Sequence, residues 1–145
     1  MVDVRVETVI DRPVAEVAAF AGDPSNAPRW YANISSVRWE NDPPVRVGSR
    51  LAYVAHFLGR TMSYTYEVVE LVEGERLVMR TSQGPFPMQT TYTWAPAGDG
   101  STRMTLHNAG EPSGFARVSA PMMERSMRRA TSKDLARLKA VLEAG

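Results

Sequence analysis

Tyr53, Tyr64, Tyr66 and Tyr92 lie in short stretches where apolar and polar residues alternate, and the alternation puts all four on one face. A tyrosine hydroxyl both donates and accepts, and a buried one needs a partner. A core that only had to pack would use Phe. Four hydroxyls on one inner face therefore point to a partly open, wet cavity, in which they could orient a bound molecule or hand it a proton. The rest of that face reads Phe57, Met62, Val68, Leu77, Met79, Thr81, Met88, Thr90, Trp94, Met104, Leu106 and Asn108. It is aromatic and rich in Met, with one amide and no charge.

Other chemistry is scarce. The chain has no Cys, which removes disulfides, thiolate nucleophiles and Cys-ligated metals. The two histidines, His56 and His107, fall on the opposite parity, toward solvent, and form no H-E-x-x-H pair. Gly110-Glu111-Pro112-Ser113-Gly114 is not a nucleophile elbow, because its Ser comes one position late. No phosphate-binding glycine loop is present; Gly98-Asp99-Gly100 sits in a turn between strands. No metal site and no cofactor are expected. Asp134 is the one carboxylate near the inner stripe of the last helix, and its ordinary role there is to partner an Arg or an indole N–H.

The elements that must position these residues follow from periodicity. Val2, Val4, Val6, Thr8 and Ile10 alternate with charged residues and predict a half-buried strand. Asp11-Arg12-Pro13 opens a helix that Gly22 and Asp23-Pro24 stop. A second short helix is predicted around Pro28 to Tyr31. Six further strands follow, at 34–40, 50–57, 61–71, 76–82, 88–95 and 101–108, parted by Gly/Pro turns in the manner of an antiparallel meander. A long helix is expected from about Gly114 to about Ala144, kinked near Pro121. Its inner stripe is Ala116, Ser119, Ala120, Met123, Met127, Ala130, Thr131, Leu138 and Val141. Strands in a run with helices at the two ends give an α+β fold, in which only the long helix is large enough to cover the sheet.

The 145 residues suit one domain, 1–145, with 43% hydrophobic and 23% charged residues. A net charge of +1 speaks against a dedicated nucleic-acid binder. No apolar run is long enough for membrane insertion, and the N-terminus alternates instead of forming a signal sequence, so a cytoplasmic protein is expected. Seven basic and three acidic residues fall between Gly114 and Gly145. That excess ordinarily marks the solvated face of a helix.

Several short motifs fit one family. Ile10-Asp11-Arg12-Pro13 with Glu16-Val17, Asp23 with Pro28 and Trp30, Val47-Gly48-Ser49-Arg50, Val68 to Leu71 with Glu75-Arg76-Leu77, and Asp99-Gly100-Ser101-Thr102-Arg103 occur in the family's order. Together they resemble the START-like SRPBCC superfamily, and within it the polyketide cyclase/dehydrase group. The resemblance covers essentially the whole chain. It implies a helix-grip fold, a curved antiparallel sheet of about seven strands around a long C-terminal helix, with two short helices after the first strand. It also implies a cavity between sheet and helix for lipids, sterols, polyketides or similar apolar ligands. The family shares no catalytic triad, so no catalytic residue carries over.

The expected function is binding of a small hydrophobic molecule. Tyr53, Tyr64, Tyr66, Tyr92, Asn108, Met123 and Met127 line the site, and Trp30 and Phe86 stand near its mouth in Pro-flanked connections. One alternative is a cyclase or dehydratase in which Tyr64, Tyr66 or Tyr92 donates a proton. Another is a protein-interaction module using the basic helix face. A monomer or homodimer is expected.

Overall fold

The computed structural model describes residues 2–57, 59–83, 87–111 and 119–145. Seven strands form one antiparallel sheet: β1 (Val2–Ile10), β2 (Ile34–Trp39), β3 (Arg50–Phe57), β4 (Arg60–Val72), β5 (Arg76–Gln83), β6 (Met88–Pro96) and β7 (Thr102–Gly110). Their spatial order is β1-β7-β6-β5-β4-β3-β2. Strands β2 to β7 are therefore a continuous meander, and β1 closes against β7. Between β1 and β2 come α1 (Val14–Ala21), a 3-10 turn (Pro24–Asn26) and α2 (Ala27–Trp30). The chain ends in α3 (Ala120–Ala144).

Pro13 is the N-cap of α1 rather than its first helical residue. Asp23 caps the following turn, its carboxylate accepting from the Ser25 N–H at 3.0 Å. The β4–β5 hairpin reverses at Gly74, whose φ of 75° is left-handed and favours a residue without Cβ.

The described part of α3 begins later than periodicity suggests. Ser119 is its N-cap and accepts from the Met122 N–H. Pro121 thus lies in the first turn, where its missing N–H costs no helical bond, and the expected kink is absent. Residues 114–118 of the expected helix lie outside the described residues. The buried stripe runs through Met123, Met127, Thr131, Asp134, Leu135, Leu138 and Leu142. Leu142, not Val141, completes it.

Helix α3 runs along β1 and touches α2. Its polar side chains secure the free edge of β1, which would otherwise be open to pairing with another chain. Glu124 accepts from the Asp3 N–H at 3.0 Å, and Glu143 accepts from the Asp11 N–H at 2.8 Å. Arg128 donates to the Arg5 carbonyl at 2.9 Å, and Lys139 to the Val9 carbonyl at 2.7 Å. Part of the basic excess of this helix is therefore structural.

The buried residues divide into three clusters. Leu135, Leu138 and Leu142 pack with Ile10, Trp94 and Leu106 in the largest. Met123 and Met127 join Val2 and Val4 in a second, and Ala27, Ile34 and Ala55 form a third. A cavity borders all three.

Candidate functional site

The cavity holds about 110 Å³ and lies between the inner face of the sheet, α2 and α3. All five tyrosines of the chain line it: Tyr31, Tyr53, Tyr64, Tyr66 and Tyr92. So do Met62, Met79, Met88, Met123 and Met127. Strand register explains the convergence, since Tyr53 faces Tyr64 across β3–β4 and Tyr92 faces Leu77 across β5–β6. A register shift between Thr65 and Tyr66 is taken up in the β4–β5 pairing, and both Tyr64 and Tyr66 line the cavity.

Tyr53, Tyr64 and Tyr66 form a triangle of edge-to-face rings, with centroids 5.2–5.5 Å apart and interplanar angles of 81–86°. Packing in this way holds three hydroxyls at fixed positions. The Tyr66 hydroxyl lies 2.7 Å from Thr90 Oγ1, and the Thr90 hydroxyl donates to Asn108 Oδ1 at 2.6 Å. Thr90 has one proton to give, so Tyr66 is the donor in the first bond. Tyr31 and Tyr92 share a hydroxyl–hydroxyl bond of 2.7 Å. The Tyr53 hydroxyl has only a long contact of 3.8 Å to Met79 Sδ, and that of Tyr64 bonds to nothing among the described residues. Those two hydroxyls are available to a guest.

Burial keeps the phenols neutral. It raises Tyr31, Tyr53, Tyr64 and Tyr92 well above the usual phenol value. Tyr66 rises only to about 12, because the bond with Thr90 opposes burial. These side chains serve as hydrogen-bond donors and acceptors near neutral pH.

Asp134 projects from α3 into the same wall and is 3% exposed. Its Oδ1 accepts from the Ala32 N–H at 3.0 Å. Burial lifts its pKa from 3.8 to about 6, opposed by that bond and by the Arg137 charge. Of the ordinary role expected for it, the described residues show only the influence of the Arg137 charge, with no ion pair to an Arg. No indole is its partner, for Trp30 Nε1 and Trp94 Nε1 are buried without one. The strands bring no charge to the cavity; the helix brings this carboxylate.

Tyr53, Tyr64, Tyr66, Tyr92, Asn108, Met123 and Met127 all border the one cavity. Trp30 does not stand at its mouth. It is fully buried in the main core, because α2 puts Ala27 and Trp30 three residues apart on one inward face. The chain leaves the helix at Tyr31, which lines the cavity, its ring 4.2 Å from the Trp30 ring. Phe86 lies outside the described residues. Tyr31 and Asn33 escaped the strand periodicity because they sit in a helix end and a turn. The signal available was the hydroxyl count, since each inner tyrosine seeks a partner. His56 is exposed and bonds to Thr61 at 3.0 Å. His107 meets Asp3 at 2.8 Å on the outer face. Among the described residues no cluster of His, Asp and Glu could hold a metal ion.

An antiparallel sheet closed by one long helix is the arrangement of helix-grip proteins. The chain belongs to the family described as polyketide cyclase / dehydrase and lipid transport, whose model matches residues 1–143. Membership supports a ligand-binding or cyclase role. Solved structures agree on the fold. A START superfamily protein from Mycobacterium smegmatis superposes with a TM-score of 0.83 at 16% identity, over 98% of this chain and 97% of that one. The protein TTHA0849 from Thermus thermophilus gives 0.81 at 21% identity, over 98% and 97%. The Zhui aromatase/cyclase from a Streptomyces species gives 0.79 at 13% identity, over 97% and 93%. No curated protein matches the sequence.

Proposed function

We propose that this protein binds a small hydrophobic molecule, lipid-, sterol- or polyketide-like, in the cavity between sheet and α3. The observation that carries this reading is the gathering of five tyrosines and five methionines on one cavity, in which two hydroxyls, those of Tyr53 and Tyr64, have no close hydrogen-bond partner among the described residues. The rigid tyrosine triangle offers a face for a ring and hydroxyls to orient it. Met123 and Met127 on α3, opposite the sheet, form an adaptable wall. That adaptability matters, because about 110 Å³ is near the size that admits a single ring, and drug-sized ligands occupy roughly 300–1,000 Å³. A larger guest must displace Met62, Met88, Met123 or Met127. Native mass spectrometry of freshly purified protein tests the reading. A retained apolar molecule, released on unfolding, is the expected result; protein that arrives empty and takes up no apolar compound argues against it.

Asp134 favours a second reading, a cyclase- or dehydratase-type enzyme. A buried carboxylate with a pKa of about 6 is suited to taking a proton beside a carbonyl and returning it near neutral pH. The tyrosine hydroxyls would hold the carbonyl oxygen. Turnover of a β-ketone substrate should then rise with pH through about 6. It should vanish in Asp134→Asn while binding persists. Equal turnover by that variant removes the enzyme reading and leaves the carrier.

A further inference from the structure

A second hollow, of about 320 Å³, opens on the outer side of the cavity wall. It shares Asn33, Ala130 and Asp134 with the cavity, so these three residues border both spaces. Its rim carries Arg125, Arg129 and Lys133. Spaced four apart, they form a single row on α3. Like charges at this spacing disfavour a helix. The other cations of this helix that face β1 are engaged, Arg128 with the Arg5 carbonyl and Lys139 with the Val9 carbonyl and Glu143. Arg125, Arg129 and Lys133 make no hydrogen bond or ion pair among the described residues. Among the described residues the hollow holds one carboxylate, Asp134, which accepts from the Ala32 N–H and makes no ion pair with the row, leaving three cations against one carboxylate.

Resting on the binding function proposed above, we infer that the ligand is amphipathic. Its apolar body occupies the tyrosine–methionine cavity, and an anionic group, carboxylate or phosphate, sits in the outer hollow against Arg125, Arg129 and Lys133. A neutral sterol or hydrocarbon would make no use of this exposed row. The anion also orients the guest, fixing which end enters the cavity.

Three probes with the same ring test this: 3-phenylpropionate, phenethyl phosphate and methyl 3-phenylpropionate, titrated by calorimetry against the full chain. The anions should bind about tenfold more tightly than the ester at low salt, and the better anion identifies the natural group. The double variant Arg129→Gln/Lys133→Gln should bring anion and ester affinities together. Its melting temperature should hold or rise, since like-charge repulsion is relieved, whereas residues needed for folding would lower it. Equal affinities in wild type, or an unchanged ratio in the variant, overturn the inference and leave the apolar-binding function standing. Failure of all three probes to bind overturns both. Anion binding that survives in Met123→Trp and in Met127→Trp would place the charge on the helix surface alone, as for docking an acidic partner, and likewise overturns it.

Discussion

The Tyr66–Thr90–Asn108 chain is the most tightly specified part of the cavity. Tyr66→Phe removes the donor that the described residues offer to Thr90 Oγ1 and should lower stability by about 0.5–1.5 kcal/mol, measured by urea denaturation. Asp134 carries a clear pH signature. Its folded pKa of about 6 lies above the unfolded value near 3.8, so its contribution is fully present below the unfolded value and is lost as pH rises through about 6. Asp134→Asn keeps an oxygen for the Ala32 N–H. It should be more stable than wild type at pH 7 by about 1–3 kcal/mol, with the difference shrinking toward pH 4. A constant difference across that range would contradict the assignment. His56→Gln should change stability by no more than ~0.5 kcal/mol, as for exposed changes. The strand tyrosines were legible from alternation, because a period of two leaves little choice of face. Tyr31 and Trp30 were not. Their directions depend on where a four-residue helix ends, and local pattern cannot place that boundary to one residue.

At the scale of elements, the meander was legible because turn residues bracket every strand. The register shifts at Ile34/Ser36, Thr65/Tyr66 and Val68/Glu70 were not, since each adds one residue without changing the composition of the strand. The start of α3 was misjudged because Pro121 reads equally as an interruption or as a first-turn residue, and only the Ser119 cap decides. Two substitutions test the packing of elements. Gly110 ends β7 so close to β6 that an added Cβ would meet the Pro87 carbonyl oxygen and lie 2.9 Å from Met88 Cα. Both neighbours are backbone and cannot step aside, so Gly110→Ala should destabilise by about 1–3 kcal/mol in thermal unfolding. Arg128→Ala frees the Arg5 carbonyl on the edge of β1. It should cost about 0.5–1.5 kcal/mol. An effect near zero would mean that this bond does not hold the helix to the edge.

For the molecule as a whole, the cavity exists because the core is not continuous. The leucine half of α3 closes one end of the sheet, while its methionine half leaves space against the tyrosines. The shortage of large side chains in that first half was visible in the sequence, and so was the matching tyrosine face. Which side chains would meet across the gap depended on the curvature of the sheet, which no periodicity reports. No described helix is long and apolar enough to cross a membrane. The central claim, that this space receives an apolar guest, is tested most directly by titrating the neutral fluorescent probe N-phenylnaphthylamine against wild type, Tyr92→Phe and Met123→Trp. Wild type should bind one probe per chain. Loss of one hydroxyl should change affinity modestly, by about 0.5–1.5 kcal/mol at most. Trp at position 123, filling the gap in a protein that circular dichroism shows still folded, should abolish binding. No binding by wild type, or undiminished binding by folded Met123→Trp, would contradict the account.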